Sequence, residues 1–194
     1  MPGRAAKIAG SAANLLPWTI RTFSRSKKSL SVRLVREIDP SFDDLWERTR
    51  DQVENTNVRT SAVLGWLCFG RERGQKFLFA CHENSENVGY IILQRQVNFG
   101  VPTLYVVDLW IDESRAGVTR ALVRTLREYA ARNGYAIIIA PYFGKKQHRR
   151  FRRAGFLPLA FRNRDDFVKY GKGLEERFHH DNSYFVADQG DARL

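Results

Sequence analysis

The chain has no apolar run near the roughly 18 residues that a bilayer-spanning helix needs. It therefore reads as soluble or peripheral, with the cytoplasm as the expected compartment. Cysteine is scarce: Cys68 and Cys81 lie in apolar segments, with no C-x-x-C or histidine-rich spacing around them. That argues against zinc, and no metal is expected; it fits buried thiols in a reducing compartment. Acid is missing altogether from residues 1–36, which carry Arg4, Lys7, Arg21, Arg25, Lys27, Lys28, Arg33 and Arg36. Aromatics are missing from the exposed positions of the densest basic run, 145–153, so nothing there stacks on bases. A specific nucleic-acid partner is not expected.

What is present suits one globular domain with a leader. A chain of 194 residues that is 43% apolar and 12% aromatic can bury a full core. Its formal charge of +11 attracts polyanions. Residues 1–30 form a basic leader or linker, flexible or helical, interrupted at Pro17. A transit peptide or a membrane-surface anchor shares that composition, so weak contact with an anionic membrane is the alternative to a solvated linker.

From Ser31 the pattern is that of folded elements, and the domain is assigned to 31–194. A first strand with Val32 and Leu34 ends near Asp39-Pro40. A helix follows, capped by Ser41 or Asp43, with Phe42, Leu45, Trp46, Thr49 and Val53 at helical spacing. A second helix spans Ser61–Phe69, before a turn at Gly70–Gly74. Strands Phe77–His82 and Val88–Gln96 flank the polar loop Glu83–Asn87, and Asn98–Pro102 makes the next turn. Then come a strand Leu104–Ile111, a helix Gly117–Asn133, a strand Tyr135–Ala140 and a basic helix Lys145–Ala154. The order predicts an α+β fold: a mixed, mostly antiparallel sheet with a strand-helix-strand crossover and flanking helices.

The junction Ile111 to Leu122 places a polar, glycine-containing turn between a strand end and a helix start. Unpaired N–H groups and the positive helix terminus there attract anions. Gly117, Val118, Thr119 and Arg120 are the phosphate candidates, backed by Lys145 and Arg149 on the basic helix. The bland alternative is a helix start capped by Ser114 that holds no ligand.

This order resembles the GNAT superfamily of N-acyltransferases. The resemblance rests on Asp108-Leu109-Trp110-Ile111, on Gly117 in a Q/R-x-x-G-x-G/A-like turn, on Arg120-Ala121-Leu122, and on Phe151-Arg152-Arg153-Ala154-Gly155-Phe156. It departs at Ser114, where Gln or Arg is usual, at Thr119, where Gly or Ala is usual, and at Phe151, where many members carry a tyrosine acid. Phe42-Asp43-Asp44-Leu45-Trp46, Val58-Arg59, Leu64-Gly65-Trp66 and Asn182–Asp191 are similar to GNAT-like proteins of bacterial polysaccharide and cell-envelope loci, which often carry two such domains. Leu67 replaces the last arginine of that pattern.

The resemblance implies acetyl-CoA as acyl-donor substrate and a small amine-bearing acceptor, a sugar or a peptide. It implies that the backbone of Leu109, Trp110 and Ile111 receives the pantetheine arm, and that the basic helix approaches the 3′-phosphate. A homodimer or an upstream GNAT-like partner is also implied. Asp108, among apolar neighbours in its strand, suits a general base that takes a proton from an ammonium. Equally, it suits a carboxylate held ionised by an arginine to organise the fold. Tyr142, Tyr170 and Tyr184 are the candidate acids, with Tyr184 preferred for its strand position. His179-His180-Asp181 has no companion ligands at metal spacing. Two function classes result: an acyl-CoA-dependent N-acyltransferase, or a GNAT-like interaction module without catalysis.

Overall fold

The computed structural model describes residues 30–70, 75–98, 100–142, 144–157 and 183–184. The leader, most of the 70–74 turn, Tyr170, His179-His180-Asp181 and all but two residues of the Asn182–Asp191 motif lie outside them.

The main sheet contains β1 (Leu30–Val35), β3 (Lys76–Glu83), β4 (Glu86–Asn98), β5 (Val101–Ile111) and β6 (Ile137–Ile139), in the order β1-β3-β4-β5-β6. Neighbours are antiparallel except β5 and β6, which are parallel. A separate two-stranded sheet pairs β2 (Asn55–Thr56) with β7 (Ser183–Tyr184) in parallel. Helices α1 (Ser41–Thr49) and α2 (Ser61–Phe69) cover one face of the main sheet, and α3 (Val118–Arg132) with α4 (Gly144–Arg153) covers the other. No helix among the described residues is long and apolar enough to cross a membrane.

Covering both faces explains why β3 reads as a continuous apolar run instead of alternating. All eight of its residues are buried. On one side Phe77, Phe79, Leu93, Leu104 and Leu109 meet Val118, Leu122 and Leu126 of α3. On the other, Leu78, Ile92 and Val107 meet Phe42, Leu45, Trp46 and Leu64. Each such side chain taken fully out of water contributes about 2 kcal/mol.

Several local expectations are corrected. The first strand stops at Val35, short of Asp39, and the crossover strand shrinks to Ile137–Ile139. Neither Ser41 nor Asp43 caps α1: the Asp39 carboxylate accepts the Ser41 N–H at 2.9 Å, while Asp43 accepts the N–H and hydroxyl of Ser61 at 2.7 and 2.6 Å. Asp43 thus serves the orphan donors of α2 from the neighbouring helix. The polar loop between β3 and β4 tightens to Asn84-Ser85, both at positive φ (50° and 71°), the requirement of a two-residue hairpin turn.

Candidate acyl-carrier site

A β-bulge decides what faces where. Along β4 and β5 the register runs Ile92↔Asp108 and then Leu93↔Val106, so Val107 has no counterpart. One extra residue puts two successive side chains on the same face. Val107 and Asp108 therefore both turn toward α1 and α2, while Val106 and Leu109 face α3. Beyond the bulge, β5 continues to Ile111, but its pairing with β6 covers only Thr103–Tyr105. The two parallel strands are thus joined at one end of β5 only.

Asp108 is sealed on the α1/α2 face. Its carboxylate accepts from Arg59 at 3.0 Å (Nε) and 3.3 Å (Nη2), and from the Tyr90 hydroxyl at 2.8 Å. The side chains of Arg59 and Asp108 are 1% and 0% exposed. The guanidinium lies over the Trp110 ring, 4.2 Å from its centroid, and donates to the Asn57 carbonyl and the Thr56 hydroxyl. Trp110 in turn donates to the Thr49 hydroxyl at 2.7 Å and packs on Trp46. Phe42 on Tyr90, Trp46 on Trp110 and Arg59 on Asp108 are thereby accounted for by the interior around Asp108.

At the end of β5 the chain is fastened on several sides. Asp112 accepts from Arg48 at 3.3 Å, and from the Ser114 N–H and hydroxyl at 3.0 and 2.6 Å. Burial raises the Asp112 carboxyl, but the two Ser114 bonds and Arg48 outweigh it and hold the group below its ordinary value. Ser114 is therefore engaged by Asp112 and does not cap α3, unlike in the bland alternative of a capped helix start. Arg115 bridges Glu83 and Glu86 at 2.9 and 3.0 Å. Gln52 of the 3₁₀ turn after α1 accepts the Glu113 N–H at 2.7 Å. Glu113 itself reaches the other way, to Lys146 and to Arg150 (3.0 Å) on α4.

The turn then enters α3 through Gly117, left-handed at φ 88°, with no side-chain cap. A left-handed backbone favours glycine here. The first-turn N–H groups of Val118, Thr119 and Arg120 have no intrahelical acceptor. They adjoin a cavity of about 660 Å³ bounded by the end of β5, the start of α3 and one side of α4. Its lining includes Gly117, Val118, Thr119 and Arg120 with Lys145 and Arg149, so the structure brings together all six predicted phosphate residues. Arg115, Lys146, Arg150 and Arg153 join them, and among the described residues no acidic side chain lines the cavity. Among the described residues, Arg120, Arg149 and Arg153 have no acidic partner. Arg153 was missed as a site residue, although it stands four positions after Arg149 on the same helical face.

The helix α4 that supplies these cations is anchored by apolar contacts. Phe151 is 3% exposed and meets the Phe156 ring edge-on at 5.2 Å. The Gly155 N–H bonds the Arg152 carbonyl and the Phe156 N–H bonds the Phe151 carbonyl, at 2.9 and 3.0 Å, with Gly155 at φ 85°. That is a Schellman cap with its hydrophobic contact. The Phe-x-x-x-Gly-Phe signature is accounted for by helix termination, and Phe151 points into the core. Tyr142 stacks on His148 at 4.7 Å. Tyr184 has only its backbone described, in β7, so no side-chain role follows for it.

The sequence profile of the Acetyltransferase (GNAT) family matches residues 33–156. The chain belongs to the GNAT acetyltransferase family. Solved structures share its fold at low identity. An aminoglycoside acetyltransferase from an uncultured soil metagenomic sample, in complex with sisomicin, is 17% identical with TM-score 0.55, covering 74% of this chain and 97% of its own. A ribosomal-protein-alanine N-acetyltransferase from Brucella melitensis is 14% identical with TM-score 0.53, covering 70% and 96%. The aminoglycoside N-acetyltransferase AAC(6′)-Iy, in complex with CoA, is 11% identical with TM-score 0.52, covering 71% and 96%. No curated protein matches the chain. The architecture is thus the GNAT fold, with a mixed five-stranded sheet and, among the described residues, four helices. Among the described residues, the cavity of this GNAT domain combines uncapped amides with Arg120, Arg149 and Arg153, which have no acidic partner, a lining suited to a polyphosphate.

Proposed function

We propose that this GNAT domain is an acetyl-CoA-dependent N-acyltransferase acting on an amine of a small molecule, sugar or peptide. The observation that carries the reading is the basic cavity at the uncapped start of α3. Gly117, Val118, Thr119 and Arg120 would receive the pyrophosphate, and Lys145, Arg149 and Arg153 the 3′-phosphate. The segment Leu109–Ile111, past the bulge, would lie along the pantetheine arm and polarise the thioester carbonyl with backbone dipoles. The neutral amine nitrogen then attacks the carbonyl carbon, the C–S bond breaks, the nitrogen releases its proton to water, and the thiolate takes a proton as it leaves. Tyr184 is the proposed proton donor. Asp108 is proposed as the carboxylate that fixes the bulge, because Arg59 and Tyr90 already occupy it.

A second reading, a non-catalytic GNAT-like interaction module, one half of a tandem protein, is favoured by two observations. Asp108 is closed off from any acceptor, and the position of the usual tyrosine acid is a core phenylalanine. The similarity of the Phe42–Trp46 and Val58-Arg59 motifs to polysaccharide-locus proteins supports a place in envelope-sugar chemistry for either reading. A thermal-shift scan with acetyl-CoA tests the cavity. Ligand at 100 times its dissociation constant adds about 2.7 kcal/mol, roughly 5–10 °C for a domain of this size. No shift with acetyl, succinyl or longer acyl thioesters contradicts the acyl-carrier reading and leaves the interaction module. A shift with thiol release in the presence of amines selects the enzyme.

A further inference from the structure

We propose that Glu113 is an internal counter-ion of the phosphate cavity, holding Lys146 and Arg150 until a ligand phosphate takes them over, so that its charge weakens cofactor binding and speeds release. The inference rests on the reading of the cavity as a coenzyme A phosphate site.

Glu113 sits in the turn between β5 and α3, and each of its carboxylate oxygens takes one cation from α4: Oε1 faces Arg150 at 3.0 Å and Oε2 faces Lys146. Both cations line the cavity, whereas Glu113 does not. The carboxylate thus holds two cations of the lining without itself being part of it. Such a residue either braces α4 against the turn or competes with the ligand for its charge. The strength of the other contacts decides between these. Lys146 is 60% exposed, and a pair of that kind contributes little to stability, while the Arg150 pair is less exposed, at 19% and 25%. By contrast α4 is held by buried Phe151, by the Phe151–Phe156 ring contact, and by Arg127 donating to the Ala154 carbonyl. Burial of an aromatic ring outweighs an exposed ion pair several times over. So α4 keeps its place when Glu113 is neutralised, and the change is electrostatic. One negative charge beside the cavity is removed, and two cations of its lining lose the carboxylate they share.

The experiment titrates coenzyme A calorimetrically into the full chain and into Glu113→Gln at two salt concentrations, with Glu47→Gln as control. Glu47 pairs with Arg50 on the α1 side and changes net charge by the same amount. Glu113→Gln is expected to bind about three- to tenfold tighter, with a steeper loss of affinity as salt rises. The control stays near wild type, and the gain disappears in a Lys146→Ala/Arg150→Ala background. Unchanged or weaker binding by Glu113→Gln overturns the proposal, as does a marked fall in its unfolding temperature, which would make the residue a brace. If coenzyme A gives no heat with any variant, the cofactor reading fails separately. Inorganic pyrophosphate then becomes the probe, and its affinity must still rise in Glu113→Gln.

Discussion

Replacing Asp108 by asparagine removes a charge while keeping nearly the same shape, and the cost of the change is set by Arg59. That guanidinium, 1% exposed, would keep its positive charge beneath α1 and α2 and lose the carboxylate that accepts from its Nε and Nη2. Breaking a buried pair from one side typically costs about 3–5 kcal/mol. For a domain of this size that corresponds to a fall of roughly 6–20 °C in Tm. Removing both charges together is different: Asp108→Leu with Arg59→Met leaves no stranded ion and should recover most of the loss, since apolar pairs often replace buried ion pairs at little cost. Urea unfolding of wild type, the single variant and the double variant measures this as a cycle. If Asp108→Asn unfolds at the wild-type midpoint yet loses acyl transfer by about two to four orders of magnitude, the reasoning is refuted and Asp108 is a general base.

Burial, and Arg33 beside it, lower the pKa of His82, so the folded state holds it neutral. The unfolded chain then binds the extra proton, and stability present above about pH 6.5 is lost as pH falls through the folded value; His82→Gln should flatten that part of the stability-pH profile. Burial pushes the Cys68 and Cys81 thiols up to about 12 and about 11, so a thiol reagent at pH 7.5 should leave both unmodified in the native protein and label them only in denaturant. Gly117→Asp places a carboxylate at the start of α3 for a backbone strain of about 1–2 kcal/mol; acetyl-CoA binding should disappear while cooperative unfolding survives.

Where hydrophobic periodicity was strong, the residues themselves disclosed the element. The α2 helix, the β5 strand and the α3–Gly134 stop follow from spacing and glycine placement alone. That the six phosphate candidates lie together was also legible, because a turn before a helix and a basic face are local features. What stayed hidden depends on register. Val107 and Asp108 share a face only because of a bulge, which an alternating pattern does not announce. The pairing of Asp108 with Arg59 spans 49 positions, so an acid in a strand could be read as a base or as a held carboxylate. Ser114 looked like a cap until Asp112, two residues earlier, was seen to hold its N–H and hydroxyl. Glu113 was silent for the same reason, since its partners lie on another helix.

The most direct test of the acyl-carrier cavity is residue-resolved: ¹⁵N-¹H correlation spectra of the labelled chain recorded during titration with coenzyme A. The account predicts that the largest amide shifts fall on Gly117, Val118, Thr119 and Arg120, with a second group on α4 around Lys145, Arg149 and Arg153. Shifts concentrated elsewhere, or saturating coenzyme A with no shift at the start of α3, would contradict it.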